Sequence, residues 1–234
     1  MGSPSQISDH VWWLPKAPPD RPSLCVVVGG RRTLWLDAGS SERHTRELLA
    51  AAPAPDLVAL THSDWDHVLG ASVLGCPVIA HELTADALVR LAAADWSDEG
   101  LDERVASGEL LQWHVDDIRG ELPAPRKVTI APADIVFRDR LDLDLGGSRV
   151  HVRHVGGDHA PDSTVMFAEP DRLLFLGDAL YEIPSGGYTK AKLEPLVADV
   201  RSFEAEAFIL GHGETVLSRD ELETFVAEAL ELAA

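Results

Sequence analysis

Short apolar runs alternate with polar, turn-forming stretches along the first part of the chain. Residues 11–14 (VWWL), 24–28 (LCVVV) and 33–36 (TLWL) read as antiparallel strands, with Gly29, Gly30 and Arg31 supplying a hairpin turn. Residues 41–52 then place their apolar side chains on one helical face and stop at Pro53 and Pro55. A buried strand at 57–60, a helical continuation at 71–74 and a short strand at 77–80 follow. Residues 84–121 are helical in pattern throughout, an insertion of the kind that roofs a site. After a proline-rich extended stretch at 123–130, strand-like runs return at 135–138, 141–145, 150–154, 164–168 and 173–176, with turns at Gly146-Gly147 and Pro170-Asp171. These runs predict a second sheet. A helix at 195–203, a buried strand at 207–210 and a terminal helix at 218–232, whose Ser-Arg-Asp-Glu start resembles a capping box, complete the chain. Strands followed by helices, twice over, predict an α+β fold: two sheets face to face with helices outside, a single four-layer domain over 1–234.

Composition narrows the function more than the fold. The 234 residues contain no apolar run near the ~20 needed to span a bilayer, so no membrane partner is expected. The start, MGSPSQISDHVWW, lacks the basic and apolar segments of a secretory signal. Cys25 and Cys76 lie in apolar, strand-like surroundings and read as buried free thiols, which points to a cytoplasmic protein. With 39 acidic against 20 basic residues, a net charge of −19 and no basic cluster, the chain is not expected to bind nucleic acid. A small-molecule substrate remains the natural partner. Nothing in the pattern specifies an oligomeric state.

The candidate chemistry centres on residues 57–70, LVALTHSDWDHVLG. A buried apolar strand runs directly into His62, Asp64, Asp66 and His67. Two imidazoles and two carboxylates at the mouth of a buried strand are costly to desolvate unless they are paired or hold a cation. On these residues alone, a cation site and a solvated surface loop both remain open. Three more metal-capable residues occupy similar positions: His159 in the turn GGDHAPDS, Asp178 after LLFLG, and His212 after FILG. Neighbouring strands deliver their end residues to one edge, so these groups can converge although distant in sequence. Asp37, in the Asp37-Ala38-Gly39 turn, either orients a neighbouring loop or caps the next helix. His81 reads as a cap or supporting residue, and His114 as a surface or packing residue beside Trp113.

The order of Thr61–His67, the glycine-flanked His159, Gly177-Asp178 and Gly211-His212-Gly213 resembles the metallo-β-lactamase superfamily of dinuclear metallohydrolases, over nearly the whole chain. The resemblance implies a four-layer αβ/βα sandwich. It also implies one metal site formed by His62, Asp64 and His159, a second formed by Asp66, His67 and His212, and Asp178 bridging them. The family pattern HxHxDH is here HxDxDH. A carboxylate at Asp64 hardens the first site and shifts preference toward iron or manganese, although zinc, suited to imidazole and carboxylate alike, is the expected ion.

By the same resemblance, a metal-bridging hydroxide would attack a small ester, lactone, thioester or phosphodiester, with Asp66 steering or accepting its proton. Asp37 and Ser163 would support the ligands. Tyr181, three residues after Asp178, either polarises the substrate oxygen, as in some lactone-cleaving relatives, or simply packs on its loop. Residues 185–192 (SGGYTKAK) offer Lys190 and Lys192 to an anionic substrate group or to solvent. Two alternatives accompany the hydrolase: a diiron oxidoreductase or dioxygenase, motivated by Asp64 but without length for an attached flavin domain, and a metal-binding relative without catalysis.

Overall fold

The computed structural model describes residues 2–181 and 187–234. The first sheet is built from β1 (Ser5–Gln6), β2 (Val11–Leu14), β3 (Leu24–Val28) and β4 (Thr33–Leu36), joined antiparallel, then β5 (Leu57–Ala59), β6 (Val78–His81) and β7 (Ile135–Phe137), added in parallel. The second sheet runs β8 (Arg140–Asp144), β9 (Arg149–His154), β10 (Thr164–Glu169) and β11 (Leu173–Gly177) antiparallel. To these β12 (Ala207–Leu210) adds in parallel and β13 (Leu217–Ser218) antiparallel.

The period-two pattern sorts the side chains into layers. On the first sheet Leu24, Val26, Trp35 and Val58 face helices, whereas Cys25, Val27, Leu34, Leu36 and Ala59 face the second sheet and meet Val152, Met166, Phe175 and Ile209. Helices α1 (Glu42–Leu49), α2 (Trp65–Val68), α3 (Glu82–Ala93), α4 (Asp98–Ala106) and α5 (Gln112–Glu121) cover the first sheet through Leu48, Trp65, Leu88, Leu101 and Ile118. Helices α6 (Lys190–Ser202) and α7 (Arg219–Leu232) cover the second through Leu196, Val200, Leu222 and Val226. Burying both faces of each sheet requires this αβ/βα sandwich. Among the described residues no helix is long and apolar enough to cross a membrane.

Several boundaries differ from the sequence expectation. Residues 135–137 belong to the first sheet, parallel to β6, and not to the second. The helices α3–α5 are the crossover that a parallel neighbour requires, and alternation alone carries no record of which sheet receives a strand. Residues 69–73 form a 3-10 turn where an α-helical continuation was expected. Helix α6 starts at Lys190, before Pro195, because the N–H groups of Lys192 and Leu193 both bond the Thr189 carbonyl and open the helix there. Ser41 caps α1, accepting from the His44 N–H at 3.1 Å, and the expected capping box forms where Ser218 and Glu221 bond reciprocally.

Strands β4 and β5 are parallel, as are β11 and β12, so their C-terminal ends open on one edge of the sandwich. Asp37, His62, Asp178 and His212 all follow these ends. A register shift between Phe175 and Gly177 ends the β11 ladder just before Asp178.

Candidate metal centre

Asp37 is the hub beneath the site. It is fully buried and adopts a left-handed backbone conformation, φ 63°, which aspartate tolerates better than most residues. Its carboxylate accepts from the Thr61 N–H at 2.7 Å and the Thr61 hydroxyl at 2.8 Å, and faces His67 Nδ1 at 2.7 Å. That contact leaves His67 Nε2 as the nitrogen turned toward the other polar groups. Of the two readings open for Asp37, the structure shows the one in which it orients its neighbours.

Seven side chains converge above this base. Asp178 Oδ2 lies 3.3 Å from His212 Nε2, 3.4 Å from His67 Nε2, 3.6 Å from His159 Nε2 and 4.0 Å from His62 Nε2. Asp64 Oδ2 lies 3.5 Å from His62 Nε2 and 3.2 Å from His159 Nε2. Asp66 Oδ2 lies 3.4 Å from His67 Nε2 and 3.2 Å from His212 Nε2. Three triads have their ligand atoms within 4.8 Å of one another: His62, Asp64, His159; His62, His67, Asp178; and Asp66, His67, His212. The structure therefore brings together every ligand candidate expected from sequence.

The electrostatics show how tightly the groups couple. Burial disfavours charge on His212, but Asp178 and Asp66 outweigh it and push its pKa up to about 10. Burial likewise opposes protonation of His67, and Asp178, Asp66 and Asp37 override it. The carboxyl of Asp178 is held well below the usual range by His67 and His212 against its own desolvation. For Asp64, half exposed, His62 and His159 do the same against partial burial.

The donor set fits divalent metal ions. His62 Nε2, His67 Nε2 and Asp178 Oδ1 are buried without a hydrogen-bond partner, which is costly for polar atoms unless something else engages them. Imidazole nitrogens and carboxylate oxygens in these triads are the ligand types that zinc, iron and manganese accept.

Glycine is required beneath Asp178. A Cβ on Gly211 would stand 1.9 Å from Asp178 Oδ1, while the Gly211 N–H is bonded to the Gly177 carbonyl at 2.7 Å and cannot retreat freely. Gly211→Ala is therefore expected to displace the carboxylate, lower metal content, and cost about 1–3 kcal/mol of stability through overpacking. Metal analysis and a melting curve check both effects; unchanged metal content would contradict the placement of Asp178.

Other expected residues fall in varied places. Tyr181 is 39% exposed, with its ring centroid 5.0 Å from that of His212 and 5.8 Å from that of His159. The Ser163 hydroxyl has no hydrogen-bond partner and supports no ligand; its carbonyl instead accepts from the Val155 and Gly156 N–H groups and ties down the turn that carries His159. His81 caps α3, accepting from the Leu83 N–H, and stacks on His154. Lys192 pairs with Asp158 at 3.5 Å rather than facing the centre, and residues 185 and 186 of the expected glycine-containing loop lie outside the described residues. Cys25 and Cys76 are both free thiols; Cys25 is buried and Cys76 half-buried.

Asp20 was missed. Its Oδ1 stands 3.2 Å from His212 Nδ1, on the side of the ring opposite Asp178 and Asp66. Burial first, then the Asp66 carboxylate, push its pKa up to about 7. The adjacent Arg21 fixes its loop through a buried pair with Glu121 at 2.9 Å, and Glu121 also accepts from Ser41 and Arg43. The helical insertion thus reaches the site indirectly, through α5 and this arginine. The stretch APPDRP offers no periodicity that could have revealed Asp20.

Known proteins place the chain among relatives of similar architecture. A metallo-β-lactamase from Pontibacter korlensis superposes with a TM-score of 0.65 at 17% identity, over 97% of this chain and 98% of that one. An archaeal metallo-β-lactamase superfamily protein from Sulfolobus tokodaii gives 0.65 at 20% identity, over 95% and 87%. The stereoselective inverting sec-alkylsulfatase from Pseudomonas sp. gives 0.65 at 14% identity, over 97% of this chain but 40% of that one. No curated protein is similar enough in sequence to count as a match. The family model for the metallo-β-lactamase superfamily, whose members are mostly metal-dependent hydrolases, matches residues 18–212. With the site's residues falling within that span and the sandwich shared with these structures, the chain belongs to the metallo-β-lactamase superfamily.

Proposed function

We propose that the protein is a dinuclear metal-dependent hydrolase acting on a small ester, lactone, thioester or phosphodiester. The observation that carries this reading is the position of Asp178 Oδ2, within 4.0 Å of four imidazole Nε2 atoms. A carboxylate so placed suits a ligand shared between two ions, with His62, Asp64 and His159 on one side and Asp66, His67 and His212 on the other. When bound, two such ions supply a water acidic enough to ionise near neutral pH and an electrophilic seat for the substrate oxygen.

The chain's own groups do the rest. Asp66 accepts and holds the proton released by the attacking water. Asp37 keeps His67 in one tautomer, and Asp20 opposes His212 Nδ1 in the same manner. Tyr181 donates its hydroxyl to the developing oxyanion: burial, with Asp20 and Asp178, raises its pKa, so the phenol stays protonated. Zinc is the expected ion, and Asp64 makes iron or manganese the alternatives. Asp64 also favours a second reading, a diiron oxidoreductase or dioxygenase on the same ligands.

Tyr181→Phe isolates the donor role. It is expected to lower kcat about 100-fold with metal content unchanged. Unaltered kcat would reduce Tyr181 to a packing residue.

A further inference from the structure

Two clefts meet at the centre and share Tyr181 and His212. The first, about 600 Å³, runs along the proline-rich loop past Lys16, Asp20 and Arg21 and is polar. Its cations are already engaged: Lys16 lies 3.3 Å from Glu214, and Arg21 lies 2.7 Å from Glu47 and 2.9 Å from Glu121. The second, about 350 Å³, extends from Gly177 and His212 toward α7. Leu180, Tyr188, Leu210, Phe225, Ala229 and Leu232 line it, and Glu228 is the one carboxylate among its described lining residues.

We infer that this second cavity receives the apolar acyl or alkyl tail of an uncharged substrate whose reacting carbonyl lies at Tyr181 and His212. The inference rests on the hydrolase reading and narrows it to esters, lactones or thioesters of medium chain length. Continuity with the centre identifies the occupant, because whatever fills the cavity begins at a ligand imidazole and at the proposed oxyanion donor. An anionic tail is disfavoured: no Lys or Arg lines the cavity among the described residues, and a charge left unpaired against leucine and phenylalanine is costly.

The test uses the full metal-loaded protein and a series of p-nitrophenyl esters from acetate to dodecanoate. Each methylene that enters the cavity is expected to raise kcat/KM about fourfold until the cavity is full. Ala229→Phe shortens the cavity. Leu232→Lys, at a position 73% exposed and tolerant of substitution, puts a charge at its rim should the first variant fail to fold. Each is expected to cut the decanoate-to-butanoate ratio of kcat/KM by about tenfold or more, the worth of two or so methylenes. A second readout uses the metal-free protein: the neutral dye N-phenyl-1-naphthylamine should bind, be displaced by octan-1-ol, and bind less well to both variants. Hydrolysis with kcat/KM independent of chain length, or a ratio preserved in the folded variants, would overturn the cavity assignment while leaving the hydrolase reading intact. No hydrolysis of any ester would overturn the hydrolase reading for carboxylic esters and with it the substrate assignment, whatever the dye does.

Discussion

Asp178→Ala is expected to abolish metal retention and hydrolysis together. Its Oδ2 lies within 4.0 Å of all four imidazole Nε2 atoms, whereas Asp64 Oδ2 faces only His62 and His159 and Asp66 Oδ2 only His67 and His212, so neither reproduces its position. Losing the ligand proposed to lie between the two ions should remove several kcal/mol of transition-state stabilisation, about 10³-fold or more in kcat/KM. The variant also carries a stability signature in the metal-free protein. The folded pKa of Asp178 is depressed, so its contribution is present above the unfolded value of 3.8 and is lost as pH falls through the lower folded value. The pKa of His212 is raised, so its contribution is complete below 6.5 and is lost as pH rises through about 10. Metal-free wild type should therefore melt highest between these limits and weaken steadily above pH 6.5, and the alkaline decline should shrink in Asp178→Ala, where His212 has lost its first attracting partner. Melting temperatures from pH 4 to 10 check this. Metal uptake displaces the same protons, so apparent affinity should rise with pH and binding should release protons to the buffer.

Asp37→Asn should produce the second large effect, without any change to a group that would touch metal or substrate. Asparagine tolerates the positive φ and can still accept from Thr61, but it offers His67 Nδ1 an amide in place of a carboxylate. Loss of that orienting charge is expected to weaken metal affinity about 10–100-fold, measured by competition with a chelator, while activity recovers at saturating metal. Asp37→Ala should be worse. It strands the Thr61 N–H, the Thr61 hydroxyl and His67 Nδ1 in a fully buried site, and each unsatisfied group costs about 1–3 kcal/mol. Affinity unchanged in Asp37→Asn would contradict the orienting role.

The parts of this molecule legible in its sequence are those encoded locally. Strands at 11–14, 24–28 and 33–36 are written as short apolar runs bounded by turn residues, and the structure places them at those limits. The cluster from His62 to His67 is a matter of spacing within six positions, and Asp178 and His212 announce themselves as polar residues ending apolar runs. What pairing does over long distances was not written there. Residues 135–137 read as part of the second sheet, and only the crossover through α3–α5 places them on the first. Asp20 meets His212, far along the chain, held by a buried arginine pair that no periodicity marks. The Ser163 hydroxyl followed from position alone, and position does not fix which way a side chain turns; its backbone carbonyl proved to be the useful group. Tyr181 stands near the imidazoles, as its place after Asp178 implied, but the two clefts on either side of it became visible only in three dimensions.

Whether seven side chains hold two ions that drive hydrolysis is decided by elemental analysis of protein produced with zinc and iron both available, paired with turnover of the ester series. Two ions per chain are expected, predominantly zinc, with activity lost on chelation and restored on reloading. Stoichiometric iron with a redox-active spectrum and no ester turnover, or fewer than one ion per chain in active protein, would contradict this expectation.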